Sequence, residues 1–201
     1  MSKGLLIVIS GPSGSGKGTV VKELMRGGDF ILSISATTRE PRDGECDRID
    51  YFFIDRKEFE KKINDGGMLE YAEYAGNYYG TPKQLVTEAL ENGKNVILEI
   101  ETNGALQVKS AFNDAVMIFI SPESLSVLEA RLRGRGTETE EVILKRLEKA
   151  KTEILLVDKY DYLVINEENK VEEAAKRVLD IIESEKSKHL RYGFAERFLK
   201  S

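Results

Sequence analysis

The chain is poor in the residues on which metal centres and relay catalysis depend. Cys46 is its only cysteine and His189 its only histidine in 201 residues. A single cysteine excludes an intrachain disulfide and leaves no cysteine-based zinc site, so a reducing compartment is expected. A single histidine, set in a charged C-terminal stretch, leaves no basis for a serine- or cysteine-hydrolase relay and reads as solvated. Cationic excess is missing too. Acidic residues number 35 and basic residues 30, giving a net charge of −5, which argues against non-specific binding to DNA or to an anionic membrane. No run approaches the ~20 apolar residues of a membrane span. Met1-Ser2-Lys3-Gly4 leads straight into an apolar stretch with no separate signal-peptide region. A cytoplasmic protein with neither a nucleic-acid nor a membrane partner is expected, as a monomer or homodimer. No repeat or low-complexity segment interrupts the chain. With 41% hydrophobic and 32% charged residues, it can bury one good core.

What is present begins with Leu5 to Ser10, a short apolar run that reads as a buried strand. It passes into a glycine-rich turn, Gly11-Pro12-Ser13-Gly14-Ser15-Gly16-Lys17-Gly18-Thr19. Val20, Val21 and Leu24 then recur at helical spacing. The pattern G-x-x-x-x-G-K between a strand and a helix is that of a P-loop, whose backbone N–H groups and following helix N-terminus cradle phosphates. Gly18 stands where a serine or threonine hydroxyl usually meets Mg²⁺, and Thr19 carries the nearest hydroxyl.

Further strands are predicted at 30–34, 51–54, 68–74, 95–100, 115–120 and 162–165. Helices are predicted over 17–26, 56–65 with Asp55 as cap, 82–91, 103–110, from Ser121-Pro122 to about Leu132, and from a Thr137/Glu140 capping box to about Val157. On that last helix Ile143, Leu147, Ala150 and Ile154 mark the apolar face. A final amphipathic helix runs from Val171. The stretch 35–45 is polar and turn-rich, too polar for core, and 76–80 reads as a turn. Alternating strands and helices predict an α/β fold, a parallel sheet with helices on both faces. The segment 36–82 reads as a small α+β insertion over the C-terminal edge of the strands, where ligands bind in such sheets.

A P-loop implies a nucleoside triphosphate, with water, a protein or a small molecule as the phosphoryl acceptor. Arg39 and Arg42, near the hydroxyls of Ser35, Thr37 and Thr38 and followed by Tyr51 and Tyr79, suit a second anion site. They are equally readable as surface arginines. Glu70, in an otherwise apolar strand, and Glu101, after the central strand, suit the paired N–H donors of guanine, which adenine lacks. Glu70 is equally readable as the solvent-facing position of a half-exposed strand. Glu99 ends the central strand, where an acid can stand near Mg²⁺. Arg131, Arg135 and Arg146 flank a turn made mobile by Gly134 and Gly136, as in a lid over transferring phosphate, or else decorate helix surfaces.

Ser35-Ala36-Thr37-Thr38-Arg39-Glu40-Pro41-Arg42, Gly44-Glu45, Asp50-Tyr51, Leu69-Glu70, Gly76-Asn77-Tyr78-Tyr79-Gly80-Thr81 and Gly134-Arg135-Gly136-Thr137-Glu138 together resemble the guanylate kinases, collinearly over about residues 4 to 186. The resemblance implies transfer of the γ-phosphate of ATP to GMP with Mg²⁺. It implies a three-layer P-loop core (1–35, 83–125 and 158–190), a GMP-binding insertion (36–82) and a helical lid (about 126–157). By position, Ser35, Glu70, Thr81 and Glu101 would face guanine, and Arg39, Arg42, Tyr51 and Tyr79 would hold the GMP phosphate. Gly11 to Thr19, with Arg131 and Asn166, would serve ATP. Lys17, Arg39, Arg135 and Arg146 would act on the transferring group. Mg²⁺ would be held by phosphate oxygens and water, with Thr19 or Glu99 as the side chain within reach. Glu101 and Thr102-Asn103 depart from the family, which usually has aspartate at the first position and a pair including glutamine after it. Two other readings stand beside this one: an interaction module that keeps the fold without catalysis, and a kinase for another nucleoside monophosphate.

Overall fold

A computed structural model describes residues 3–27, 29–134, 136, 139–190 and 194–200, with the side chains of 189, 190, 196, 197 and 200 left aside. In chain order the first half contains β1 (Leu6–Ser10), α1 (Lys17–Gly27), β2 (Phe30–Leu32), β3 (Ala36–Thr37), β4 (Phe52–Phe53), α2 (Arg56–Asn64), β5 (Met68–Tyr74), β6 (Asn77–Pro82) and α3 (Lys83–Glu91). The second half contains β7 (Asn95–Glu99), α4 (Thr102–Ala111), β8 (Val116–Ser121), α5 (Leu125–Gly134), α6 (Glu140–Ile154), β9 (Tyr162–Ile165), α7 (Val171–Leu190) and α8 (Phe194–Lys200).

β1 is the middle of a five-stranded sheet ordered β2-β7-β1-β8-β9, and every pairing in it is parallel. Its residues are buried on both faces, and the period of two divides them between two cores. Leu5, Ile7 and Ile9 pack with Val20, Val21 and Leu24 of α1 and with Ala174, Val178 and Ile182 of α7. Leu6 and Val8 pack with Val86 and Leu90 of α3 and with Ala105 and Val108 of α4. Helices therefore cover both faces, as the alternation of elements predicts. A second, four-stranded sheet, ordered β4-β3-β6-β5, comes from within residues 36–82. α5 and α6 form a third cluster through Leu128, Leu132, Ile143, Leu147 and Ala150. The Asp55 cap of α2 forms as expected, its carboxylate accepting the Glu58 N–H at 2.8 Å.

The structure corrects several local expectations. Ala36 and Thr37 form a fully buried strand although the stretch is polar. The Thr37 hydroxyl donates to the Tyr78 carbonyl at 2.9 Å and accepts the Arg39 N–H at 3.2 Å, so its polarity is satisfied internally. The turn expected at 76–80 is confined to Ala75-Gly76, both at positive φ (48° and 78°), a two-residue hairpin connection. Residues 77–80 instead belong to β6, which pairs antiparallel with β5. Ser121 completes β8 opposite Ile165, so α5 starts only at Leu125. α6 starts at Glu140 after Thr139, which makes no side-chain cap bond; Thr137 lies outside the described residues. On α6 Ile154 is exposed, and its neighbour Glu153 turns inward instead, 6% exposed.

Candidate functional site

One cleft of about 560 Å³ opens where the C-terminal ends of β1 and β7 face the four-stranded sheet. Gly11, Ser13, Lys17, Ser35, Tyr51, Glu70, Tyr79, Glu99 and Glu101 line it, so residues singled out from both the P-loop and the acceptor side meet there, while Arg39, Arg42, Thr81, Arg131, Arg146 and Asn166 stand behind or beside its walls.

The P-loop side is built from backbone. β1 ends at Ser10 and α1 starts at Lys17, leaving the first N–H groups of α1 without helical acceptors. Gly16, at φ 88°, takes a conformation that a side chain would strain, and a Cβ there would stand 2.3 Å from the Asn166 amide nitrogen. That close approach lets buried Asn166 donate to the Ser15 carbonyl at 2.8 Å. Arg131 donates to the same carbonyl at 3.2 Å and to the Asn166 carbonyl at 2.8 Å. Asn166 and Arg131 therefore brace the loop from behind. Lys17 folds back onto the loop, its ammonium donating to the carbonyls of Gly11 (2.7 Å) and Pro12 (3.0 Å). Burial lowers its pKa from the ordinary 10.5, opposed by Glu99 and then by Glu153 and Glu101.

Glu99 lies beside the start of α1. A Cβ on Gly18 would stand 3.3 Å from its carboxylate, so the missing side chain at Gly18 makes room for this acid. Much of Glu99 is open toward the cleft mouth, yet desolvation by the crowded walls still raises its pKa, against Lys17 and Lys22. Thr19 is exposed on the first turn of α1.

The opposite side is built from side chains. Glu70 is buried on β5 and accepts the Thr81 hydroxyl of β6 at 2.7 Å. Thr81 therefore reaches the site through Glu70. Burial raises the Glu70 pKa, partly offset by the Thr81 bonds, and Glu101 adds a further upward push. Gly104 of α4 is what admits the carboxylate, because a Cβ there would lie 2.5 Å from it. Arg39 is held by Glu45 at 2.9 Å, with its guanidinium carbon 5.7 Å from the Tyr51 ring centre. Tyr51 in turn meets Tyr79 edge to face at 6.2 Å. Arg42 is exposed, and its backbone N–H donates to Glu45 at 2.8 Å. Arg146 is half-buried on α6, and Arg135 lies outside the described residues.

Sequence reasoning missed Gly104, Lys149 and Glu153, and quoted Glu45 within a motif without giving it a role. A glycine inside the predicted helix 103–110 and an acid beside the apolar positions of α6 were both readable signals. Lys149 looks like any solvated charge until the fold places it, and only the fold shows Glu45 holding Arg39.

A glycine-rich loop between a central parallel strand and its helix, facing a cleft of carboxylates and tyrosines with Arg39 against the Tyr51 ring, defines a P-loop nucleotide-binding α/β protein. The guanylate kinase family model matches residues 3–185. A guanylate kinase of Clostridium tetani (strain Massachusetts / E88) is 53% identical over 186 residues, covering 92% of this chain and 88% of that protein. One from Streptococcus pyogenes serotype M3 (strain ATCC BAA-595 / MGAS315) is 57% identical over 185 residues, covering 91% and 87%. The crystal structure of guanylate kinase from Anaplasma phagocytophilum matches with a TM-score of 0.72 at 33% identity, over 92% of this chain and 87% of that one. The chain belongs to the guanylate kinase family.

Proposed function

We infer that the chain is a transferase that moves the γ-phosphate of ATP to GMP, giving ADP and GDP. Its membership of the guanylate kinase family over residues 3–185 carries that reading. We further propose how its residues divide the work. Gly11 to Thr19 hold the ATP phosphates, with Arg131 and Asn166 bracing the loop. Lys17 exchanges two neutral carbonyl acceptors for phosphate oxygens, which form stronger, charge-assisted bonds.

On the acceptor side Glu70 takes the paired donors of guanine, supported by Thr81 and joined by Ser35 and Glu101. The buried carboxylate beside an internal hydroxyl favours this role, since it is fixed in place before any ligand arrives. Arg39, Arg42, Tyr51 and Tyr79 hold the GMP phosphate, and Glu45 keeps the Arg39 fork ordered. Residues 36–82 act as the GMP-binding insertion of a single domain, and 126–157 as a lid. Arg135 and Arg146 on that lid stabilise charge on the transferring group and exclude water.

ATP-dependent transfer implies a divalent metal. Among the described residues no three histidine, cysteine, aspartate or glutamate side chains come together closely enough to hold a metal ion by themselves. Glu99, a desolvated carboxylate beside the P-loop, fits an ion such as Mg²⁺ that keeps waters and phosphate oxygens as its other ligands. Glu99, with Thr19 nearby, would hold Mg²⁺, which supplies charge neutralisation along the phosphates when bound. No helix among the described residues is long and apolar enough to cross a membrane, and we propose a cytoplasmic location.

The test is ADP formation measured with GMP, AMP, UMP and CMP as acceptors. GMP is expected to be favoured over AMP by about 100-fold or more in kcat/KM, because a buried carboxylate facing an acceptor is left unpaired. Comparable rates with AMP would overturn the guanine assignment of Glu70.

A further inference from the structure

The α6 helix reaches across the cleft to the start of α4 through two adjoining contacts. Lys149 donates to the Glu101 carboxylate at 2.8 Å, and Thr102, the next residue, donates its hydroxyl to Glu153 at 3.4 Å. Lys149 and Glu153 are one helical turn apart and 3.7 Å from each other. The N-cap residue of α4 and the first residue of the helix are thus clasped by an i,i+4 pair of α6. Glu153 is 6% exposed, and its second carboxylate oxygen is buried with no hydrogen-bond partner. Both α6 residues line the same cleft as Glu70, Glu99 and Glu101.

This arrangement is poorly explained by stability. Glu101 is exposed and Lys149 half exposed, and an ion pair of that kind contributes little to folding. Its position matters more. Glu101 precedes α4 as its N-cap residue but makes no side-chain cap bond, so nothing within its own helix fixes its rotamer. Lys149 supplies the restraint and leaves the other carboxylate oxygen for a ligand. It also supplies charge. Among the described residues lining the cleft, Lys17 and Lys149 are the cations set against Glu70, Glu73, Glu99, Glu101 and Glu153.

We propose that Lys149 is a positioning residue for the acceptor nucleotide: anchored between Glu153 and Glu101, it fixes and neutralises Glu101 and ties the α6 segment to the acceptor base. The proposal rests on the assignment of Glu70 and Glu101 to guanine. It gives the acceptor a means of reporting to the lid segment, since the Lys149–Glu101 contact joins the two. The groups that face Glu101 are Glu70 of β5, Lys17 of α1, and Lys149 and Glu153 of α6. Without Lys149, Lys17 is the one cation left among these groups, and its ammonium is already engaged by the Gly11 and Pro12 carbonyls.

Lys149→Met, Lys149→Gln and Lys149→Arg test this by steady-state kinetics and thermal melting. Lys149→Met is expected to raise the KM for GMP about 10-fold and to leave that for ATP within about twofold. Lys149→Gln should do the same more weakly, and Lys149→Arg should restore the parent values. In a Glu101→Gln background, Lys149→Met should add little, because the two act through one contact. Equal effects on both substrates, no effect on GMP, or full additivity with Glu101→Gln would overturn the proposal. If Lys149→Met fails to fold, the Lys149→Gln and Lys149→Arg pair decides on the same criteria. The parent enzyme separates the two levels: if it fails to discriminate GMP from AMP, the guanine assignment falls. If it discriminates and Lys149→Met behaves as parent, only the role of Lys149 falls.

Discussion

The two sides of the cleft are made of different material. The P-loop side is contiguous backbone at the end of a strand buried on both faces, braced by Asn166 and Arg131 at a single carbonyl. The acceptor side is a set of side chains drawn from residues 35 to 101, on a smaller sheet whose strand β5 turns four consecutive residues to solvent. A backbone cradle tolerates most side-chain changes except where a charge reaches the phosphates. A side-chain pocket depends on each member being held in position. Substitutions on the first side should therefore appear in turnover, and those on the second in the KM of one substrate.

The largest effect should come from Lys17→Ala, which removes the ammonium that contacts the P-loop carbonyls. Turnover is expected to fall about 1,000-fold or more, with the thermal midpoint nearly unchanged. Rates of ADP release and a melting curve check this, and turnover within about tenfold of the parent would break the contrast. Next is Gly104→Ala, whose new methyl would stand 2.5 Å from the Glu70 carboxylate. It should raise the KM for GMP about 10- to 100-fold while that for ATP holds. A parallel rise in both would mean that the two sides are not separable.

The smallest effect concerns stability. Desolvation raises the carboxyl groups of Glu70 and Glu153, which are buried, and of Glu99, which the cleft walls crowd, above the ordinary 4.5. The native state then binds their protons more readily than the unfolded chain, so stability falls as pH rises from 4.5 through the raised values. Half-buried Glu45, held low first by the Arg42 N–H and then by Arg39, and exposed Glu140, held low by Arg133, act oppositely. Their contribution is present above 4.5 and lost as pH falls through their lowered values. Glu153→Gln, which keeps an acceptor for Thr102, should raise the melting temperature at neutral pH by about 2–4 °C and flatten its decline with pH. A lower melting temperature would mean that Lys149 fully compensates the buried charge.

Legibility divides along the same line. The strand, glycine turn and helix of the P-loop are neighbours in sequence; the unbroken apolar run of β1 marks a strand buried on both faces, and the spacing of Val20, Val21 and Leu24 marks the buried face of α1. The buried strand at Ala36-Thr37 was not readable, because its polarity is cancelled by the Tyr78 carbonyl, 41 residues away. Glu153 was passed over in favour of Ile154 because a helical period with spacings of three and four admits either. What admits an acid there is Thr102 from another helix.

The sequence by itself determined the phosphate cradle, the parallel sheet with its two covered faces and, through its motifs, the family. Each of these follows from residues adjacent in the chain or repeating at a fixed period. Only the tertiary structure decided that Lys17 folds onto its own loop, that Gly104 admits Glu70, and that Lys149 meets Glu101. Desolvation and ion pairing depend on which groups face one another across the cleft, and β5, α4 and α6 bring those groups together from positions up to 83 residues apart, from Glu70 to Glu153.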